Sequence, residues 1–351
     1  MSVAVINAGS SSIKLAIYDG ESAPTVLVRG HVDGIGAEAR VRLMDPAGAT
    51  LVDEALDPGV THEQATQMLA QLATGRLGER RIAAIGHRVV HGGPHYAAPM
   101  RVTDALLREL EEFVPLAPLH QPHNLAPIRT FQALRPDLPQ VVCFDTAFHR
   151  TQPAVAQTFA IPRKYTADGV RRYGFHGISF EYVSARLAEI APEVARKKVI
   201  IAHLGNGASL CAIEDGRSVA STMGFTTVDG LVMGTRCGAL DPGVVRHLDI
   251  GIAAADMGEH HAILVLQRLE KLLGAVGIAR DIGGIVDQGV GRAMDLPVLL
   301  QEEHVAITTR VADLVEQRVD HEHPHPALGE GVEVGLRQAR EVDGAAEVDD
   351  P

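Results

Sequence analysis

The sequence predicts an α/β fold of two related halves with a ligand cleft between them, and three observations carry that prediction. In the opening stretch "VINAGSSSIKLAIYDG" (5–20), a short Gly-Ser turn joins two runs of strand length and β-branched composition. The design recurs: 7–20 laid without gaps on 203–216 matches at five of fourteen positions, and an apolar run precedes each copy. Repetition at the start of both presumed halves points to duplication. Finally, the hydrophobic run "VVCF" ends in Asp145, and α/β proteins place ligands at the carboxyl ends of their strands.

The first element is the hairpin. "AGSSS" is too short for anything but a turn. Alternation places Ile13, Leu15 and Ile17 on one face of the second strand and Lys14, Ala16 and Tyr18 on the other. Lys14 therefore projects beside the turn. A turn of Gly, Ser and Asn exposes backbone N–H groups and hydroxyls with no bulk in the way, which makes a cradle for phosphate oxygens. The Walker spacing GxxxxGK[ST] is missing, and two plain hairpins compete as a reading of either turn alone. Their recurrence favours nucleotide phosphate held across the cleft.

Next, "IAAIGHRVVHGG" (82–93) carries Arg88 inside an apolar strand, a costly place for a cation without an anion beside it. A core carboxylate and a substrate carboxylate are equally good partners. "PLAPLHQPHN" (115–124) reads as a proline-stiffened loop presenting His120 and His123, either a pocket wall or a surface loop. "QVVCFDTAFHR" (140–150) places Asp145 at a strand end, with N-capping of a following helix as the competing role. "RRYGFHGISFEYV" sets His176 between aromatics and a glycine, and "TTVDGLVMGTRCGALDPG" brackets Arg236 with Gly234 and Gly238. Two arginines, a histidine and an aspartate beside two phosphate turns suit phosphoryl transfer, which needs positioned positive charge and a metal more than a covalent nucleophile.

Composition bounds the rest. The 351 residues allow two domains, predicted as 1–150 and 151–351. No apolar run nears the roughly 18 residues of a membrane helix, and the N-terminus lacks a signal-peptide pattern. Cys143, Cys211 and Cys237 form no C-x-x-C pair and read as reduced thiols of a cytoplasmic protein. A net charge of −12 argues against nucleic acid as a partner without excluding an anionic small molecule. The chain changes character near residue 250. Residues 250–351 hold 8 Lys/Arg and 19 Asp/Glu, and all 13 Phe and Tyr precede them. A segment so poor in bulky apolar groups is expected to pack poorly beyond about residue 318. His321, His323 and His325 there are interleaved with prolines and lack a completing ligand pattern, so a metal site is not expected.

Seven blocks, "VINAGSSSIK", "GHRVVHGG", "LAPLHQPHN", "CFDTAFH", "YGFHG", "HLGNGAS" and "GLVMGTRCGALDPG", closely resemble the acetate kinase family and occur in its order, spanning residues 1 to about 248. The resemblance implies membership of the acetate and sugar kinase, heat-shock-70 and actin superfamily. The fold would be a pair of duplicated ribonuclease-H-like (actin-like ATPase) α/β domains with the active site in the interdomain cleft. It further implies ATP-dependent phosphorylation of acetate to acetyl phosphate, with Mg²⁺ or Mn²⁺, in a cytoplasmic homodimer; propionate or butyrate kinase is the alternative within the same chemistry.

By that resemblance Asn7 would help hold the metal, and Ser10, Ser12 and Lys14 would lie near nucleotide phosphate. Arg88 and His120 would meet the acetate carboxylate. Asp145, His176 and Arg236 would be catalytic, Asp145 positioning substrate or metal because acetate is already a nucleophile. His203, Leu204, Gly205, Asn206 and Gly207 would contact ATP, joined by Asp281 from "LLGAVGIARDIGG".

Three departures stand against it. Where the family continues Thr-Ser-His after "YGFHG", this chain has Ile178, Ser179 and Phe180, which removes a second histidine near the site. No Gly-Ile-Gly-Glu-Asn or Pro-Thr-x-Glu-Glu block follows residue 250, and Gly283 stands where an arginine is expected. The chain is also shorter than the family's usual length. A reading-frame shift near residue 250 would account for the last two, and would leave a catalytically impaired remnant.

Overall fold

β-Branched content and alternation produce the strands they predict. In the computed structural model, which describes residues 1–20 and 24–244, β1 (Ser2–Ala8) is buried throughout and pairs antiparallel with β2 (Ser12–Asp19). The Gly-Ser stretch is thus a hairpin turn, closed by the Gly9 N–H donating to the Ser12 carbonyl at 2.8 Å, and the register sets Asn7 opposite Lys14. Ile13, Leu15 and Ile17 enter the main core against α1 (His62–Thr74). Ala16 and Tyr18 join a second cluster on the other face, as alternation requires. Helix α1 begins with a reciprocal cap in which the Thr61 hydroxyl accepts from the Gln64 N–H and the Gln64 side chain accepts from the Thr61 N–H.

The meander continues through β3 (Thr25–Asp33), β4 (Arg40–Met44) and β5 (Thr50–Ala55). On the other side of β1 lie β6 (Ile82–Val89), the short β7 (Met100–Arg101) and β8 (Gln140–Phe144). The eight strands form one sheet in the order β5-β4-β3-β2-β1-β6-β8-β7, with β1, β6 and β8 mutually parallel. Parallel neighbours need long crossovers, and these hold α1, α2 (Asp104–Glu112) and α3 (Gln121–Leu134). Parallel direction also brings the carboxyl ends of β1, β6 and β8 to one edge, where the Asp145 N–H donates to the Val89 carbonyl at 3.1 Å.

Beyond that sheet come α4 (Ala154–Gln157), α5 (Arg163–Ala167), α6 (Gly177–Ile190) and α7 (Pro192–Ala195). A three-stranded sheet follows, ordered β11-β10-β9, from β9 (Val199–Leu204), β10 (Ala208–Glu214) and β11 (Arg217–Ser221). The β9–β10 hairpin repeats the β1–β2 hairpin, and the "DG" turn after it has positive φ at both Asp215 (51°) and Gly216 (72°), the conformation this dipeptide favours. The strand, turn, strand, "DG" repeat is therefore present in both halves. No helix among the described residues is long and apolar enough to cross a membrane. The expectations for the segment beyond residue 250, its poor packing and its histidine cluster included, lie outside the described residues.

His87, His91 and His149 are buried in the structure, and burial pushes each ring down to about 4. An unfolded histidine titrates near about 6.5. Between those values the unfolded chain binds protons that the native chain does not, so stability present above pH ~6.5 is lost as the pH falls towards 4. The urea midpoint is accordingly expected to drop between about pH 7 and about pH 5; a flat midpoint over that range would show that the buried rings titrate as they do in the unfolded chain.

Candidate active site

The carboxyl ends of β1 and β6 and the residue after β8 meet the β9–β10 turn across a cavity of about 260 Å³. Strand direction delivers Ala8, Val90 and Asp145 to its wall, and Asn124 of α3 clamps two of these ends: its Nδ2 donates to the Ala8 carbonyl at 2.6 Å and its Oδ1 accepts from the Val90 N–H at 2.9 Å.

Arg88 finds its anion in Asp145. Nε donates to Oδ1 at 2.9 Å and Nη2 to Oδ2 at 2.5 Å, a planar two-point pair, while Nη1 donates to Asn7 Oδ1 at 3.1 Å. Asp145 is fully buried, which an ionised carboxylate tolerates only with such a partner. It does not cap a helix: the 3₁₀ turn Ala147–Thr151 starts after Thr146 without a side-chain cap, because both Asp145 oxygens face Arg88.

His176 precedes α6 in a left-handed conformation (φ 59°), which turns its ring back over the cavity. That ring stacks on His203, with centroids 4.0 Å apart and planes 20° from parallel. His176 Nδ1 lies 2.8 Å from Ser209 Oγ, and His203 Nδ1 lies 3.0 Å from Ser179 Oγ. Burial, His203 and the guanidiniums of Arg88 and Arg236 hold His176 well below the usual histidine range; burial first, and then Arg88, bring His203 to about 4. Burial likewise lowers His120 to about 4, with Arg88 and Arg236 adding to it. All three rings are neutral near neutral pH, while Arg236, its pKa lowered by burial, stays cationic. Its Nη1 is anchored on the Thr227 carbonyl at 3.0 Å. Glycine at 207 leaves the ring room, since a Cβ there would press on His176, 3.1 Å from its Nε2, and lie 3.4 Å from Arg236 Nη1.

Lys14, Arg88, His120, Asp145, His176, His203, Gly205, Asn206, Gly207 and Arg236 all line the cavity. Asn7 reaches it through its bond to Arg88. Ser10, Ser12 and Leu204 do not line it; Ala8 and Gly9 represent the first turn there, and alternation turns Leu204 away from the face that His203 occupies. Asp281 lies outside the described residues. Of the stretch read as a loop at 115–124, residues 117–120 form a turn after the 3₁₀ turn Val114–Leu116, but residues 121–124 open α3, with Pro122 in its first turn, where a missing N–H is harmless. His120 occupies the cap position and faces the cavity, whereas His123 lies inside α3 with its ring 4.7 Å from that of His62. Asn124, Ser179, Ser209 and Thr227 escaped the sequence reading as hydrogen-bond partners, although Ser179 and Ser209 stand within its motifs.

A profile of the acetokinase family matches residues 2–314, well past the compositional break near residue 250. The chain is 45% identical over 282 residues to an acetate kinase of Rhodopseudomonas palustris, covering 79% of this chain and 70% of that one. It is 48% identical over 286 residues to an acetate kinase of Nitrobacter hamburgensis, covering 80% and 70%. Among solved structures, a propionate kinase of Francisella tularensis superposes with a TM-score of 0.66 at 32% identity, covering 91% of this chain and 80% of that one.

Proposed function

The chain belongs to the acetokinase family, and on that premise we propose that it transfers the γ-phosphoryl group of ATP reversibly to acetate, giving acetyl phosphate and ADP. The observation that carries this reading is the cavity, where a carboxylate-held Arg88 faces Arg236, three neutral imidazoles and the Gly205–Gly207 turn. In it Arg88 and His120 hold the substrate carboxylate, with Asp145 fixing the plane of the guanidinium. Arg236 and His176 stabilise charge on the equatorial oxygens of the moving phosphoryl group, and Lys14, His203, Gly205, Asn206 and Gly207 lie along the nucleotide. The division of labour follows the two hairpins, with residues 1–150 giving acetate and phosphate contacts and residues 151–351 the nucleotide contacts.

The reaction calls for a divalent cation, Mg²⁺ or Mn²⁺. Asn7 Oδ1 and the Asp145 carboxylate lie side by side on Arg88, and no cluster of three or more His, Cys, Asp or Glu among the described residues would cage a metal. That sparse oxygen set fits an ion that arrives on the phosphates and keeps most of its waters. When bound, the ion neutralises phosphate charge. The rest of the proposal is a cytoplasmic homodimer; Cys143, Cys211 and Cys237 as thiols rather than disulfides support a reducing compartment.

Hydroxamate trapping of acyl phosphate, with ATP, Mg²⁺ and either acetate or propionate, tests the function. One methylene is worth about 1–3 kcal/mol, so on this reading kcat/KM for acetate is expected to exceed that for propionate by about tenfold or more. The reverse order would assign the propionate reaction instead, as the Francisella neighbour makes the natural second reading. No turnover with either acid, together with a Tm unmoved by saturating ATP, would identify an impaired remnant.

A further inference from the structure

Of the three histidines on the cavity wall, His176 and His203 each have Nδ1 held by a serine, one from the β9–β10 hairpin and one from α6. His176, at the start of α6, meets Ser209 of β10; His203, of β9, meets Ser179 of α6. We infer that Ser209 is a positioning residue for phosphoryl transfer: its hydroxyl donates to His176 Nδ1 and so keeps the imidazole proton on Nε2, the nitrogen that faces the Gly207 turn, while Ser179 does the same for His203. The inference rests on reading the cavity as a phosphoryl-transfer site and adds the residues that set its hydrogen-bond polarity.

The direction follows from counting hydrogens. Ser209 is fully buried and Ser179 is 2% exposed, and among the described residues each hydroxyl has an imidazole Nδ1 as its one side-chain hydrogen-bond partner. A serine hydroxyl owns a single hydrogen, and leaving it unpaired in the interior costs about 1–3 kcal/mol. If Nδ1–H donated to Oγ instead, the hydroxyl hydrogen would have no acceptor. The serine therefore donates, and a neutral ring that accepts at Nδ1 carries its proton on Nε2. Burial keeps both rings neutral, so each has one proton to place. The stacked rings then present two N–H donors to the cavity, suited to charge growing on phosphoryl oxygens. The opposite tautomer would aim a lone pair at the same anion. Because the two couples run in opposite directions between α6 and the β9–β10 hairpin, they also fix the phosphate turn against His176.

Nitrogen-15 NMR of the histidine-labelled full chain near neutral pH reads each tautomer without turnover, with His176→Gln and His203→Gln supplying assignments. Nε2–H is expected at both rings. Ser209→Ala is expected to leave His176 as a tautomer mixture and to lower kcat roughly tenfold, about the worth of one ordinary hydrogen bond, with little change in KM. Ser209→Thr, which restores a hydroxyl, is expected to recover both. Nδ1–H at His176 in the unmodified chain overturns the inference even if the alanine variant does not fold, and so does Ser209→Ala with an unchanged tautomer or an unchanged kcat. A wild-type chain without turnover overturns the kinase reading and the catalytic part of this one, whereas the tautomer assignment stands or falls on the spectrum alone.

Discussion

Asp145→Asn is expected to lower kcat at least a hundredfold and to destabilise the fold by about 3 kcal/mol. The substitution keeps the shape of the side chain and removes the charge. Arg88 now reaches Asp145 through donors at 2.9 and 2.5 Å. An amide offers one oxygen and one NH₂, so one of those two contacts becomes donor against donor. The guanidinium then sits half-buried without its anion, the situation in which removing one partner of a buried pair costs about 3–5 kcal/mol; the 21% exposure of the Arg88 side chain places the loss at the lower end. The kinetic loss comes from orientation, since an arginine no longer locked in plane misplaces the carboxylate it holds, and a misplacement of about 1 Å is worth about a hundredfold. Steady-state hydroxamate kinetics and urea unfolding measure the two effects separately. A variant within threefold of wild-type kcat would show that Asp145 does not orient Arg88.

Gly177→Ala is expected to act nearly as strongly from a position that touches no substrate. A Cβ at 177 would lie 2.1 Å from the Asp145 carbonyl oxygen and 3.0 Å from Phe148 Cβ. The first obstacle is backbone, and the Gly177 N–H already donates to that same carbonyl at 2.8 Å, so the start of α6 and the end of β8 are in contact with no slack. The methyl group must push apart Asp145 and the preceding residue, His176, two groups on the cavity wall. Overpacking of this kind costs about 1–3 kcal/mol, and the displacement is expected to lower kcat about a hundredfold. Gly234→Ala is the control, because nothing lies within 4 Å of a Cβ there. Equal Tm and equal kcat for Gly177→Ala and wild type would disprove the tight junction.

The local elements were legible because short-range physics writes them. Period-two alternation assigned Ile13, Leu15 and Ile17 to one core and Ala16 and Tyr18 to the other, and both assignments hold. The "DG" signal at Asp215 and Gly216 specified a turn that has positive φ at both residues. The loop at 115–124 was misread because prolines were taken as stiffeners of a coil, when one of them lies in the first turn of α3, where a proline fits without loss. The weight of the site on Gly205–Gly207 rather than on Ser10 and Ser12 was also beyond reach, since a hairpin's sequence does not say which side of its turn meets the rest of the chain.

By itself the sequence determined the strands, the repeated hairpins and the chemical inventory of the cleft: two arginines, an aspartate and histidines beside glycine turns. It also carried the family, in blocks whose order is kept. Only the tertiary structure decided the pairings. Arg88 was open to a core or a substrate carboxylate and is bound by Asp145, 57 residues away; His176 takes a serine 33 residues on, and Asn124 ties together strand ends on β1 and β6. The reason is physical. Periodicity and turn propensity act over a few residues and report which face a side chain takes, whereas a hydrogen-bond partner is chosen by strand order and register, which exist only once parallel strands have been brought together at one edge.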